Sequence, residues 1–418
     1  MISWFSGPFV EGSEITSLTL SDGTHTLTKL FAKKYSQTRL IMARKIEAVT
    51  PPNPAKAQAL VKSVRNQIDK LDLQILKLIN DRASAAGEVG KIKMENGEDI
   101  FSPAREEEVL ANVLEAHTKY PNALDVSTVR AVFREIMSGS RALQKLLKVT
   151  YLGPEYSYSH LAAIERFGQA VEFVPVGSIT AVFEEVNRGH ADFGVVPVEN
   201  STDGRIADTL DMFMRMPQMI ICSEIRLQIH HNLMAKCEAK DIRRVYSKPQ
   251  AISQCRNWLG KNTPHALLTE VSSTTTAAEL AQREPGAAAV ASRQAAVRYG
   301  LRILFEDIQD SADNETRFAV IGHQKTAKTG NDKTTLMFRI PHSPGSLADA
   351  IAVFKSNKVN LAWIESFPSR IAKNEYIFFA DFEGHIDDPK INKMLKAFHD
   401  ECTEVTVLGS YPIAQISG

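Results

Sequence analysis

A threonine and an arginine, Thr316 and Arg317, stand side by side in the segment DNETRFAVIG, residues 313–322, directly before an apolar run. A hydroxyl can assist a departing group, and a guanidinium can hold a carboxylate in a two-pronged grip. Three other stretches carry polar clusters of the same kind. YLGPEYSYSHLAA (151–163) offers Ser157, Ser159 and His160, and ADFGVVPVENSTDG (191–204) ends in Glu199, Asn200, Ser201 and Thr202. VSSTTTAAELA (271–281) offers Ser273 and Thr274 ahead of an alanine-rich helix. Taken singly such residues cap helices, and Ser159, Ser201 and Ser273 are N-cap candidates. Four clusters at strand ends on one α/β scaffold instead point to a ligand crevice, where hydroxyls and helix N-termini suit carboxylates.

A second set of cations lies upstream. Arg65, Arg82, Lys93 and Arg105 fall on segments with helical periodicity. Arg82 and Lys93 share a helix face about 16 Å apart along the axis, a spacing that two inward-leaning side chains can use to bracket a small dianion. Arg65 would lie about 42 Å from Lys93 on a straight helix. It therefore reaches the same ligand only from a second copy of the chain, which predicts an antiparallel dimer.

The elements that must position these residues follow from the apolar spacing. TPPNPAKAQ is a linker hostile to helix. From Ala59 to about Met94 the residues Val64, Ile68, Leu71, Ile75, Leu78, Ala85, Val89 and Ile92 recur at helical spacing, and a helix this long needs a partner surface along its length. A second helix is expected from Pro103 to His117, and a third from Ser127 to Leu147 with Ser127 as its N-cap. At Val149 the pattern changes to short apolar runs alternating with helix-like segments such as 159–167 and 179–188, which predicts α/β with a largely parallel sheet. Residues 227–237 open a second lobe. After a small polar linker, 334–412 reads strand, helix, strand, strand, helix, strand, the order of a ferredoxin-like α+β unit.

Bulk composition bounds the function. The 418 residues exceed one hydrophobic core, so several domains are expected. The 49 basic residues balance 49 acidic ones, which argues against a general nucleic-acid binder while leaving room for locally held anionic small molecules. Cys222, Cys237, Cys255 and Cys402 lack zinc-like pairing and fit a reducing cytoplasm. No apolar run approaches the roughly 20 residues that span a bilayer. Adjacent His230 and His231 are poorly placed to converge on a metal, and no glycine-rich nucleotide fingerprint occurs. No cofactor is therefore expected. Residues 1–55 read as an extension outside the folded units.

The residues also carry resemblances. VRNQIDKLDLQILKLINDRASAAGEVGKIK, with Arg105–Glu106 and SGSRALQ, resembles the all-helical chorismate mutases across about 56–148. That resemblance implies an intertwined homodimer that rearranges chorismate to prephenate. Arg65 from one chain and Arg82 and Arg105 from the other would hold carboxylates, Lys93 and Gln144 the ether oxygen, and Glu106 and Ser140 the hydroxylated ring. Ser102 stands where the family pattern leads us to expect an acidic residue.

Residues 149–325 resemble prephenate dehydratase through GPEYSYSH, DFGVVPVENSTDG and TRF. This implies two α/β lobes of the periplasmic-binding-protein type with prephenate between them. Thr316 would be the principal catalytic residue and Arg317 a substrate ligand, with Phe318 at the cleft wall. Ser157, His160, Glu199, Asn200, Ser201, Thr202, Ser273 and Thr274 would lie at or near the site.

Residues 332–413 resemble the amino-acid-binding ACT domain, which implies feedback by phenylalanine. Pro344, Gly345, Ser346 and Leu347 would receive the effector, and Asn360, Leu361, Glu365 and Ser366 would frame the partner side. Phe367 occupies the place where the family usually has arginine. Together the three resemblances imply a multidomain cytoplasmic enzyme that makes phenylpyruvate.

Overall fold

The computed structural model describes residues 54–120, 124–202, 204–368 and 376–417, so the expected N-terminal extension lies outside the described residues. The chain divides between Leu76 and Lys77 into two compact units. Helix α1 (Pro54–Glu95) runs through the division and begins at a proline, which has no N–H to leave unpaired in a first turn. In its first part Val64, Ile68, Leu71 and Ile75 are exposed.

In the second unit, α2 (Pro103–His117) starts at Ser102, whose hydroxyl accepts from the Arg105 N–H. Helix α3 (Val126–Ala142) differs from expectation at both ends. Asp125, not Ser127, is the N-cap, and it takes up both the amide and the hydroxyl of Ser127. The helix stops at Ala142, five residues short of Leu147, and Leu147 turns into the core beneath the following sheet.

Next come β1 (Lys148–Leu152), α4 (Tyr158–Phe167), β2 (Glu172–Val176), α5 (Ile179–Asn187), β3 (Phe193–Asn200) and β4 (Gly204–Arg205). They are followed by α6 (Ala207–Arg215), β5 (Ile220–Gln228), β6 (Asn232–Ala235), β7 (Arg244–Ser247), α7 (Pro249–Gln254), α8 (Arg256–Asn262) and β8 (Leu267–Glu270). Then come α9 (Thr274–Arg283), β9 (Ala287–Ala291), α10 (Arg293–Tyr299), β10 (Arg302–Phe305) and β11 (Glu315–Gly322). These strands build two sheets, one to each expected lobe, and neither is largely parallel. The first runs β5-β11-β3-β1-β2 with β4 on β3, and the second runs β10-β6-β9-β7-β8. Both are mixed: β1 pairs in parallel with β2 and β3, whereas β11 is antiparallel to both its neighbours. The reason is connectivity. Residues 229–231 and 306–314 each cross from one sheet to the other, and the returning strand β11 enters the first sheet against the grain. The second lobe accordingly begins at Asn232, since Leu227 still belongs to β5 of the first sheet.

The C-terminal elements are β12 (Asp332–Arg339), α11 (Ser346–Ser356), β13 (Leu361–Pro368), β14 (Tyr376–Glu383), α12 (Pro389–Glu401), β15 (Glu404–Pro412) and β16 (Ile416–Ser417). The expected βαββαβ order is present, in an antiparallel sheet ordered β13-β14-β12-β15, and β16 pairs with β5 of the first sheet. One face of the C-terminal sheet packs on its own helices. The other shares a core with the first sheet, in which Ile221, Ala319 and Ile321 meet Met337, Phe379, Leu408 and Tyr411. The approach is close enough that a Cβ at Gly409 would sit 2.2 Å from the Ile221 carbonyl oxygen, so only glycine fits there.

Candidate active sites

Strand geometry sorts the TRF segment. Successive side chains on β11 point to opposite faces, so Thr316 and Phe318 share one face and Arg317 takes the other. The first face lines a cavity of about 730 Å³ between the two sheets. Ser157, Asn200, Ser273 and Thr274 line it as well, joined by Tyr158, Arg205, His231, Lys248, Gln250 and Gln254. Ser157 and Ser273 also cap α4 and α9, so these two serines combine the capping and lining roles weighed in the sequence. Ser159 lies within α4 and is not its cap.

Thr316 is nearly buried, and its Oγ1 accepts from Asn200 Nδ2 at 2.9 Å. With a lone pair so engaged, the threonine still has its own proton to donate to another partner. The Asn200 amide is oriented in turn. Its Oδ1 accepts from the Thr202 N–H (3.0 Å), the Thr202 hydroxyl (2.6 Å) and Gln254 Nε2 (3.2 Å). Gln254 belongs to the second lobe, and its Oε1 accepts from His231 Nε2 at 2.8 Å and Asn314 Nδ2 at 2.9 Å. His231 and Asn314 both sit on the crossing segments. The network thus ties the hydroxyl of Thr316 to both crossing segments.

Burial holds the His231 imidazole down at about 4, below its ordinary value near 6.5, so it stays neutral across the neutral range. Below pH 6.5 the unfolded chain takes up the proton first, so the contribution of His231 is complete above that pH and is lost as pH falls toward 4. A His231→Gln variant should therefore lose less stability between pH 6.5 and 4 than the unaltered chain, as read by chemical denaturation at each pH.

Five expected site residues do not line the cleft. Arg317 is 8 % exposed and turns to the C-terminal sheet, where it pairs with Glu224 (2.7 Å) and Asp381 (2.5 Å) and lies 5.2 Å over the Trp363 ring. Burial by itself would lower its pKa, but Asp381, Tyr411 and Glu224 raise it. Lys333 joins the same carboxylates. Glu199 faces the same side, 3.8 Å from Arg317, and burial raises its pKa. His160 is a core residue that stacks on Tyr151 at 4.7 Å and accepts the Tyr156 N–H. Ser201 donates to the Asp313 carbonyl and steadies the loop before β11. Thr202 reaches the site only through Asn200 and Gln254.

In the helical part, Arg82 Nη1 donates to Ser140 Oγ at 2.8 Å. Burial, and then the neighbouring Arg105 guanidinium, lower the Arg82 pKa, and Glu106 opposes the shift. Gln144 packs against Gly90 so tightly that a Cβ there would lie 2.5 Å from its side chain. Lys93 donates to the Asp99 carbonyl at 2.9 Å, and Arg105 pairs with Glu108 on the surface. Glu106 is taken up by Arg141 and by Arg166 (3.0 Å) of α4. Arg65, in the first unit, is exposed.

In the C-terminal unit a crevice is lined by Gly345, Ser346 and Leu347 together with Pro341, Tyr376 and Phe378. Pro344 is not among its lining residues. Asn360 donates to Glu383, Leu361 packs with the helix-side core, Glu365 pairs with Arg205, and Ser366 is exposed on edge strand β13. Phe367 is buried between the sheets, and the Arg205 guanidinium lies 5.4 Å over its ring. Among the described residues no group of His, Cys, Asp and Glu is arranged to hold a metal ion.

A two-lobed α/β body with a hydroxyl held in the cleft between its sheets, preceded by a helical segment that carries several cations, fits an enzyme class acting on small anionic molecules. The family models place it further: residues 64–145 match chorismate mutase type II, and residues 149–326 match prephenate dehydratase. The bifunctional chorismate mutase/prephenate dehydratase of Aquifex aeolicus is 41% identical over 356 residues, covering 85% of this chain and 98% of that protein. The Pseudomonas aeruginosa protein of the same description is 42% identical over 364 residues, covering 85% and 99%. The solved prephenate dehydratase of Arthrobacter aurescens, in complex with L-Phe, is similar with a TM-score of 0.60 and 32% identity over 64% of this chain and 90% of that one. The chain belongs to the bifunctional chorismate mutase/prephenate dehydratase family.

Proposed function

We propose that the chain rearranges chorismate to prephenate in its helical part, about residues 56–148, and converts prephenate to phenylpyruvate in the cleft of residues 149–325. The first reaction is internal to one molecule and requires neither nucleophile nor proton transfer. Positioned cations hold the reactive conformer and steady charge on the breaking ether oxygen. Arg82, Arg105, Lys93, Gln144 and Ser140 serve this role, with Arg65 supplied by a second copy. The exposed apolar residues of α1 support that homodimer.

In the second reaction the ring carboxylate leaves as carbon dioxide and its electron pair enters the ring. The ring hydroxyl leaves with a proton as water, and the product is aromatic. Only the departing hydroxyl needs help, and Thr316 gives it by hydrogen bonding or proton donation. The observation that carries this reading is the Thr316 hydroxyl, held at 2.9 Å by an amide whose own orientation is fixed. The two lobes belong to the periplasmic-binding-protein type, and residues 332–413 form an ACT regulatory domain in which phenylalanine occupies the crevice at Gly345–Leu347. No helix among the described residues is long and apolar enough to cross a membrane, in keeping with a cytoplasmic enzyme.

Purified protein given chorismate, and separately prephenate, should form phenylpyruvate from both, more slowly with added phenylalanine. Turnover of prephenate but not of chorismate would reduce the helical part to a dimerisation arm. Calorimetry with no binding at millimolar phenylalanine would remove the effector assignment.

A further inference from the structure

Three side-chain amides close a ring beside Thr316. Gln254 Nε2 donates to Asn200 Oδ1 (3.2 Å), Asn200 Nδ2 to Asn314 Oδ1 (3.1 Å), and Asn314 Nδ2 back to Gln254 Oε1 (2.9 Å). Two groups that can act in one sense only fix the direction of every bond. The Thr202 N–H donates to Asn200 Oδ1, and the Glu315 carbonyl accepts from Asn200 Nδ2. All three bonds therefore run in the same sense, and each polarises the next. Asn200 closes β3 and Asn314 sits on a crossing segment, whereas Gln254 ends α7 in the second lobe. Asn200 Nδ2 also donates to Thr316 Oγ1, so the ring bears directly on that hydroxyl.

We infer that Gln254 is a positioning residue of the dehydratase reaction, which closes the amide ring from the second lobe and so steadies the Asn200 amide that holds Thr316. This rests on the prephenate reading above. Gln254 acts on the reacting hydroxyl only through Asn200. Take its donor away, and Asn200 Oδ1 loses a partner, the amide is less firmly held, and its Nδ2–H becomes a weaker donor. Negative charge that grows on Thr316 Oγ1 as the threonine gives up its proton is then less well balanced. That charge belongs to the transition state and not to bound prephenate, so the loss falls on kcat and not on KM. Because the donor comes from the second lobe, Thr316 is aligned only while the two lobes meet at this edge of the cleft.

The test is prephenate kinetics on the full chain across pH. Gln254→Leu should lower kcat about tenfold, the worth of one hydrogen bond, and leave KM within about twofold. Gln254→Glu separates positioning from packing and, being nearly isosteric, keeps the fold. Its carboxyl still donates to Asn200 Oδ1 while protonated, but once ionised it has no donor to offer. Burial and the facing Asn200 oxygen hold that carboxyl above the usual range. The ratio of its kcat to that of the unaltered chain should be near one at about pH 5 and fall about tenfold by about pH 8. Three titratable groups meet position 254. Asp310 gives its N–H to the Gln254 carbonyl and its carboxylate to the first turn of α8, and burial pushes the Cys255 thiol up to about 12. The third is His231, so the same fall should appear in the His231→Gln background, which assigns it to the introduced carboxyl. Unaltered kcat in Gln254→Leu, or a Gln254→Glu loss equal at every pH, would overturn the inference while leaving the dehydratase reading intact. An unaltered chain that does not turn over prephenate would overturn both.

Discussion

Thr316→Ala is expected to lower prephenate turnover about 100-fold or more while changing KM little, because the hydroxyl acts on the departing group rather than on affinity. The structure gives the loss a cause. Asn200 Nδ2 donates to Thr316 Oγ1, so the threonine proton is the one left for the substrate. Removing Oγ1 also strips one acceptor from Asn200 Nδ2, but the amide keeps the Asn314 Oδ1 and Glu315 carbonyl partners at 3.1 and 3.0 Å. The fold should therefore survive, and the defect should appear in single-turnover chemistry. Thr316→Ser, which keeps the oxygen, should recover most of the rate. Wild-type turnover in Thr316→Ala would sink the assignment.

Arg317→Met should act on stability instead. Its guanidinium is sealed against Glu224 and Asp381, and removing one partner of a buried pair leaves uncompensated charge at a cost of about 3–5 kcal/mol. Lys333 reaches the same carboxylates, which places the expected loss near the lower end, about 3 kcal/mol. Chemical denaturation measures it. In the protein that remains folded, KM for prephenate should match the unaltered chain. A raised KM with unchanged stability would return Arg317 to the cleft as a substrate ligand.

These two neighbours show where sequence reading succeeds and where it stops. Thr316 was marked by its place before an apolar strand and beside three other strand-end clusters, and it does line the cleft. Arg317 was grouped with it, although the alternation of a strand already places adjacent side chains on opposite faces. That alternation was the available signal. It excludes one of the pair without saying which. Glu199 erred in the same way: it lies opposite Arg317 in the β3–β11 pairing, as Asn200 lies opposite Thr316. In the sequence His231 stands out only as half of an adjacent histidine pair ill placed for a metal, and Gln254 belongs to no motif. Their meeting at 2.8 Å depends on a crossing segment passing beside the second lobe, which local pattern does not encode.

The sequence alone determined the order of elements and the chemistry available, because helical and strand periodicities, capping residues and hydroxyl-rich strand ends are local properties of the chain. The change from helices to short strands near Val149 follows from the same local rules. Only the tertiary structure decided which face of β11 became the cleft and which became the seat of the C-terminal sheet. It also gave Arg317 to a buried ion cluster with Glu224 and Asp381. The physical reason is that burial and pairing belong to surfaces brought together from distant parts of the chain, and a guanidinium's role is set by whichever carboxylate those surfaces deliver to it.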